Sequence, residues 1–391
     1  MTDAPPLKIV DFSTHMSGPL ASQLLIQLGA DVIKIENPRT GDGNRGLEPL
    51  IHGSGLFHVA LNAGARSLAI DRHSPHWARV VAACARWADA VIVGGRPADA
   101  AKRGIDFASL VRANPSLVYS AISGYGEVGP WSANPAHGLN PDACAGLVPV
   151  EREDGFAVPP PGYQSIGAPL AGVFAALGIL AAVRERDHGC GARYVHVSIW
   201  EAAMWFSWRH LTALANLQHP WHAYKDLGSR YAMYHTRDER VVLVCPIERR
   251  FWERFCELLE LPSDWKSRGS WEANGMDNGL GRLDEKEAIA RRMATRSLAE
   301  WTEALAAREI PFAPVLTVAE ALASEHAAAT GVMSRSTVAG QPVAVPSAPV
   351  RLRPDERTPG VARDLPPPPR LGEHTAQILA EIGLPELSGT I

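Results

Sequence analysis

The chain has 391 residues, 46% of them apolar and 20% charged, which sets disorder aside; since single cores stop growing at roughly 250–300 residues, two compact units are expected. Its 38 basic and 42 acidic residues sum to a formal charge of -4 and form no basic stripe able to track a phosphate backbone, which sets nucleic acid aside. No apolar run is expected to span a membrane, and Thr2, Asp3 and the prolines after them do not form a signal sequence, so a cytoplasmic protein is expected.

In chain order, Lys8 to Phe12 reads as a buried strand, Pro19 to Gln27 as a helix and Asp31 to Glu36 as a second strand, a βαβ unit. Pro19 suits the first helical turn and Gly29 the helix end. The rhythm repeats with a helix at Trp77 to Trp87, a strand at Ala90 to Val93, a helix near Phe107 to Ala113 and a strand at Leu117 to Ile122. This alternation predicts a parallel, doubly wound sheet.

Farther on, an Ala/Leu-rich helix is predicted over Gly172 to Glu185, a strand over Tyr194 to Ser198 and a helix from Ile199. Arg240 to Val244 reads as a strand and Glu248 to Leu259 as a helix. Pro262 to Gly281 reads as loop, with helices at Glu285 to Thr295 and Leu298 to Arg308, then a strand at Ala313 to Leu316. A proline-rich connector at Pro366 to Pro369 leads to a last helix, His374 to Ile382, closed by Gly383. The five cysteines are widely spaced without a CxxC pair, so neither a disulfide framework nor a zinc site is indicated; Cys84 and Cys256 read as buried thiols.

The loop Ser13 to Gly18, between a strand's carboxyl end and a helix, is a general ligand position in an open α/β sheet. Its surroundings carry an ordered set of motifs: Asp11-Phe12-Ser13, Ser17-Gly18-Pro19 and Leu28 to Glu36. Gly41-Asp42 with Arg45, Leu61-Asn62 with Arg66-Ser67, Asn114-Pro115 with Val118-Tyr119, and Gly124-Tyr125-Gly126 with Gly129-Pro130 follow. Gly172 to Val183, Val195 to Ser198 and Gly372-Glu373-His374-Thr375 complete the series. In this order the chain resembles the class III CoA-transferase family (CaiB/BaiF type), which includes 2-methylacyl-CoA racemases.

The resemblance implies an α/β fold: a large Rossmann-like domain from residues 1–205, a small α/β domain over 225–325 and a return segment with C-terminal tail, 326–391, rejoining the large domain. It also implies an interlocked homodimer or a hetero-oligomer with an Asp-bearing homologue. The implied substrates are coenzyme A thioesters and a carboxylic acid, with no permanently bound cofactor and no metal. Ser17, Arg39, Arg45, Arg66, Lys102, Arg103 and Tyr125 are the implied CoA-binding residues; an arginine's planar fork suits phosphate, although each basic residue taken alone also fits a solvated surface charge.

The family's transferases attack the thioester with an Asp carboxylate, and that position here is Ala168. The racemase branch pairs a His, here His137, with an Asp at the same position 168. His137 also fits a solvent-facing loop residue, and Asp142 fits either a relocated carboxylate or a turn residue. The expected function is acyl-CoA:carboxylate CoA transfer, alone or as a subunit. A racemase or epimerase using His137 and a catalytically silent subunit are the alternatives.

Overall fold

The computed structural model describes residues 5–218, 228–272, 275–353, 355–357 and 363–390. Thr2, Asp3 and residues 225–227, where the small domain is expected to begin, lie outside them. Two compact units result: 1–211 with 326–391, and 212–325.

The first unit is built on six strands: β1 (Lys8–Asp11), β2 (Asp31–Glu36), β3 (Arg66–Ala69), β4 (Ala90–Gly94), β5 (Val118–Ser123) and β6 (Arg193–Ser198). They run parallel in the order β6-β5-β4-β1-β2-β3. This is a doubly wound arrangement, and its strand order reverses between β1 and β4. Above the carboxyl ends at that reversal the connections diverge, which opens a crevice.

Both faces of the sheet are covered, so the strands read as nearly continuous apolar runs. One face buries Val10, Ile33, Leu68, Val91 and Tyr119 under α3 (Trp77–Trp87) and α5 (Phe107–Ala113), together with Ile378 and Leu379 of the helix Thr375–Glu381. The other buries Ile9, Val32, Ile92 and Val118 under α1 (Ser17–Gln27) and α7 (Gly167–Glu185). α7 lies close to α1 because a Cβ on Gly172 would stand 2.6 Å from both Leu20 Cδ2 and Ser17 O.

α7 starts at Gly167, five residues before the predicted start. Asp142, in the short helix α6 (Leu139–Cys144), accepts from the N–H groups of Ile166 and Gly167 where α7 begins. The helical stretch Gly167–Cys190 is also long and apolar enough by composition to cross a membrane, which corrects the expectation that no apolar run reaches that length. Ala171, Ala175 and Ile179 on it are wholly buried in the core.

The second unit has a three-stranded antiparallel sheet, Ala232–His235, Val241–Val244 and Phe312–Pro314. The helices Arg249–Leu258, Leu283–Met293 and Leu298–Ala306 bury Trp252, Phe255, Ile289, Met293 and Trp301 with the strand residues Val242 and Val244. Ser297 and Glu300 form a reciprocal capping box at the last helix, satisfying two of its free N–H groups.

Candidate active site

The crevice holds two cavities that share Thr14 and Gly94 as lining residues. The larger, about 520 Å³, is walled by the loop Ser13 to Gly18, by Gly94 to Arg96 after β4, by Ser123 and Gly124 after β5, and by His137, Ala168 and Ile199. The smaller, about 290 Å³, is lined by Arg39, Arg72, His73, Trp77 and Arg103 among others.

The Ser13 to Gly18 loop is held from beneath. Asp11 accepts hydrogen bonds from Ser13 N (2.8 Å) and Ser22 Oγ (3.0 Å), and also from Ser13 Oγ. Lys34, 1% exposed, pairs with Asp42 at 3.0 Å and Asp11 at 3.5 Å and donates to Ser13 O at 3.1 Å. Burial alone would favour a neutral Lys34, but Asp11 and Asp42 outweigh it and hold its pKa above the ordinary lysine value. Burial likewise opposes the charge on Asp42, yet Lys34 holds that carboxyl below its usual range.

These buried partners reach the cavity wall through His15, whose backbone is left-handed at φ 68°. Asp42 accepts from its N–H at 3.2 Å and the Asn44 side chain donates to its carbonyl. A conformation of that kind persists only where its surroundings fix both sides. Gly18 completes the bend: a Cβ there would stand 1.8 Å from Ser13 Oγ, so a larger residue would displace the loop.

The sequence-predicted residues divide into three groups. Ser17, His137 and Ala168 line the larger cavity, and Arg39 and Arg103 the smaller. Arg103 is the more enclosed of the two arginines, and burial, then Arg72, lowers its pKa. Lys102, Tyr125 and Asp142 line neither cavity. Lys102 is exposed 3.5 Å from Asp99, and Tyr125 packs edge-on against Trp131 with ring centroids 6.1 Å apart. Asp142 is fully buried, its two oxygens accepting from Ile166 N (2.7 Å) and Gly167 N (2.8 Å). The carboxylate is committed to the start of α7, where the helix's unpaired N–H groups favour negative charge.

Arg45 and Arg66 form the third group. Arg45 grips Glu36 with two bonds, 2.8 and 2.6 Å, and donates to Pro369 O at 2.9 Å. Arg66, at the amino end of β3, is shared by Asp31 (2.9 and 2.7 Å) and Glu381 (2.8 Å). Both fasten the C-terminal tail to the sheet and neither lines a cavity, although Glu36, which Arg45 holds, lines the smaller one. Thr14 and His15 belong to the loop Ser13 to Gly18 that the sequence marks as a ligand position; sequence reasoning missed Arg72, His73 and Arg96, and their positions just after strands are the signal that could have found them.

His58 lies beside Arg45, 3.1 Å from Nη1. Burial, followed by the guanidinium charge, pushes its pKa down to about 4. The unfolded chain therefore binds more protons between the ordinary histidine value and pH 4, so stability falls as pH drops through that window. The expected loss between pH 7 and 4.5, about 2 kcal/mol at 1.36 kcal/mol per pKa unit, can be read from urea unfolding at those two pH values. His58→Gln should flatten that part of the curve, and an unchanged slope would refute the assignment.

A family model described as CoA-transferase family III matches residues 6–375. The acetyl-CoA:oxalate CoA-transferase of Acetobacter aceti is 25% identical, covering 97% of this chain and 96% of its own length. The beta subunit of a succinyl-CoA–L-malate CoA-transferase from Chloroflexus aurantiacus is 24% identical (96% and 93% covered), and the alpha subunit 26% (96% and 88%). Among solved structures, Rv3272 of Mycobacterium tuberculosis superposes with a TM-score of 0.78 at 22% identity, covering 95% of this chain and 97% of that one. A CAIB/BAIF family protein from Brucella suis gives a TM-score of 0.75 at 22% identity, covering 96% and 98%. These two likenesses concern the fold.

Proposed function

This chain belongs to CoA-transferase family III, and from that membership we propose that it binds an acyl-CoA in the crevice and serves transfer of the CoA group to a carboxylic acid. The observation that carries the reading is the pair of adjacent cavities at the sheet's reversal point, which share Thr14 and Gly94, with cationic residues gathered on the smaller one. Arg39, Arg72 and Arg103 suit the phosphates of the nucleotide, while the pantetheine arm and thioester extend past Thr14 and Gly94 into the larger space. There the first-turn N–H groups of Ser17 and Gly18 face a developing oxyanion.

Calorimetric titration with CoA and acetyl-CoA tests this reading. Saturable binding is expected, and Arg103→Ala should weaken it about 10-fold or more, the cost of a charge-assisted hydrogen bond of about 1.5–3 kcal/mol. A folded protein that takes up no CoA at millimolar concentration would end the proposal.

A second reading is favoured by Ala168: the chain is one subunit of a heteromeric transferase whose other subunit carries the attacking Asp. α7 leaves Val173, Leu177 and Leu180 exposed at 43, 61 and 42%, an apolar stripe at i, i+4, i+7 that a second family subunit would cover. Co-purification with an Asp-bearing homologue, and activity only in the mixture, would support it.

A further inference from the structure

His15 has the left-handed backbone described above, φ 68°, a value that costs free energy for a residue with a Cβ. Asp42, which accepts from its N–H at 3.2 Å, and Asn44, which donates to its carbonyl, are each 1% exposed. Relaxing the loop would therefore break hydrogen bonds to two buried side chains. The ring rests against Gly43, where a Cβ would stand 3.0 Å from His15 Cε1. That is closer than side chains ordinarily pack, so glycine at 43 leaves the imidazole its place.

Held in this way, His15 is an exposed residue on the wall of the larger cavity. Its backbone is two residues from Ser17, about 7 Å of extended chain at most, and Ser17 opens α1. Among the described residues its ring nitrogens make no hydrogen bond, so the neutral imidazole keeps a lone pair free. The carboxylates are otherwise committed. Asp99, the one acid in the lining, is held by Arg96 at 2.7 Å, and Asp142 accepts at both oxygens. Residue 168 is alanine. His137 lines the same cavity, but its backbone N–H is held only by exposed Asn140, at 3.4 Å. His15 is the histidine fixed by buried partners and carried on the strip of chain that bears the Ser17 N–H.

We propose that this chain hydrolyses acyl-CoA thioesters, with His15 as the general base that activates water. The inference rests on the CoA-thioester reading above, with water in place of the acid. His15 takes a proton from water as the water oxygen bonds to the thioester carbonyl carbon, and the Ser17 and Gly18 N–H groups receive the oxyanion. The tetrahedral intermediate collapses with cleavage of the C–S bond, and the departing thiolate takes the proton from the imidazolium to become free CoA thiol. The released acid gives its own proton to solvent. One water is consumed, the redox state is unchanged and no bond to the protein is made.

The test uses the full chain with acetyl-CoA and no carboxylic acid acceptor, following release of free thiol. Repeated turnover is expected, slower in deuterated water. His15→Asn keeps a residue at home in the left-handed conformation but removes the base, so kcat should fall about 10²-fold or more with KM little changed. A residue that merely shaped the loop would tolerate that exchange. His15→Gly also accepts the backbone and leaves a space, so added imidazole should restore part of its rate. The inference is overturned if the native chain binds acetyl-CoA without releasing thiol above the uncatalysed rate. It is equally overturned if His15→Asn hydrolyses as the native chain does, or if imidazole does not rescue His15→Gly. Transfer of CoA to an added acid without hydrolysis would remove this inference alone, whereas failure to bind CoA at all would remove the CoA-thioester reading.

Discussion

Incubated with acetyl-CoA, the native chain should stay unmodified, whereas Ala168→Asp should acquire an acyl or CoA adduct at residue 168. A methyl group cannot attack a thioester, and an enzyme deprived of its covalent nucleophile commonly loses about 10³-fold or more in rate. The substitution places a carboxylate on the cavity wall beside the α1 N-terminus, leaving the rest of the site in place. It also brings a second carboxylate to the first turn of α7, next to Gly167, whose N–H already binds Asp142 at 2.8 Å. Like charge and burial both disfavour ionisation of the new group, so adduct formation should rise with pH over the acidic range. Ala168→Asp with Asp142→Asn should relieve this and react at lower pH. Hydroxylamine trapping followed by peptide mass analysis reads each outcome. A stoichiometric adduct on any native carboxylate, or an inert Ala168→Asp that still binds CoA, would refute the assignment of position 168.

Lys34→Met should destabilise the large unit by about 3–5 kcal/mol, the usual cost of removing one partner from a buried ion pair. Asp11 and Asp42 would then lie buried at 1% exposure each without the cation between them, and Ser13 O would lose its donor. Because these groups carry the Ser13 to Gly18 loop, CoA binding should weaken with stability. Adding Asp11→Asn and Asp42→Asn to the same chain should recover part of the loss by removing the uncompensated charge. The native cluster also sets a pH range. Asp42 and Glu36 have lowered folded pKa values, so their contribution is present above the ordinary carboxylate range and lost as pH falls through the folded values. Lys34 has a raised one, so its contribution is complete below the ordinary lysine value and lost as pH rises through the folded value. Urea unfolding across pH checks both limits, and a Lys34→Met loss under 1 kcal/mol would contradict the pairing argument.

Legibility in the sequence follows the range of the forces involved. β1, α1 and β2 are readable because their periodicities and the residues ending α1 are local. β3 is not, since Arg66 and Ser67 interrupt its apolar pattern; their partners, Asp31, Glu381 and Glu36, come from other elements. The early start of α7 depends on Asp142, 25 residues upstream of Gly167. The hairpin Met333–Val338 with Gln341–Pro346 escapes notice because its turn uses Ala339 and Gly340, at φ 49° and 76°. An Asn in the first position would have signalled it.

The same distinction applies to the site. Ser17, His137 and Ala168 are recognisable from motif order, and the cavity brings them together. Arg45 and Arg66 sit in equally good motifs, but their charges are spent on carboxylates, and no local pattern reveals a partner 315 residues away. His15 carries the reverse lesson: one polar residue among several in its loop by sequence, it gains meaning only from Asp42 and Asn44, which fix its backbone from a different loop.

The C-terminal fastening bears on how the chain is made. Ile378, Leu379, Leu384 and Leu387 complete the core on the α3 and α5 face, and Arg45 and Arg66 bind Pro369 and Glu381. A ribosome therefore releases β1 to β6 long before the residues that close over them. Throughout elongation the nascent sheet must carry that open face while the intervening segment is translated, so a premature stop even near residue 370 yields a chain that chaperones and proteases will treat as unfinished.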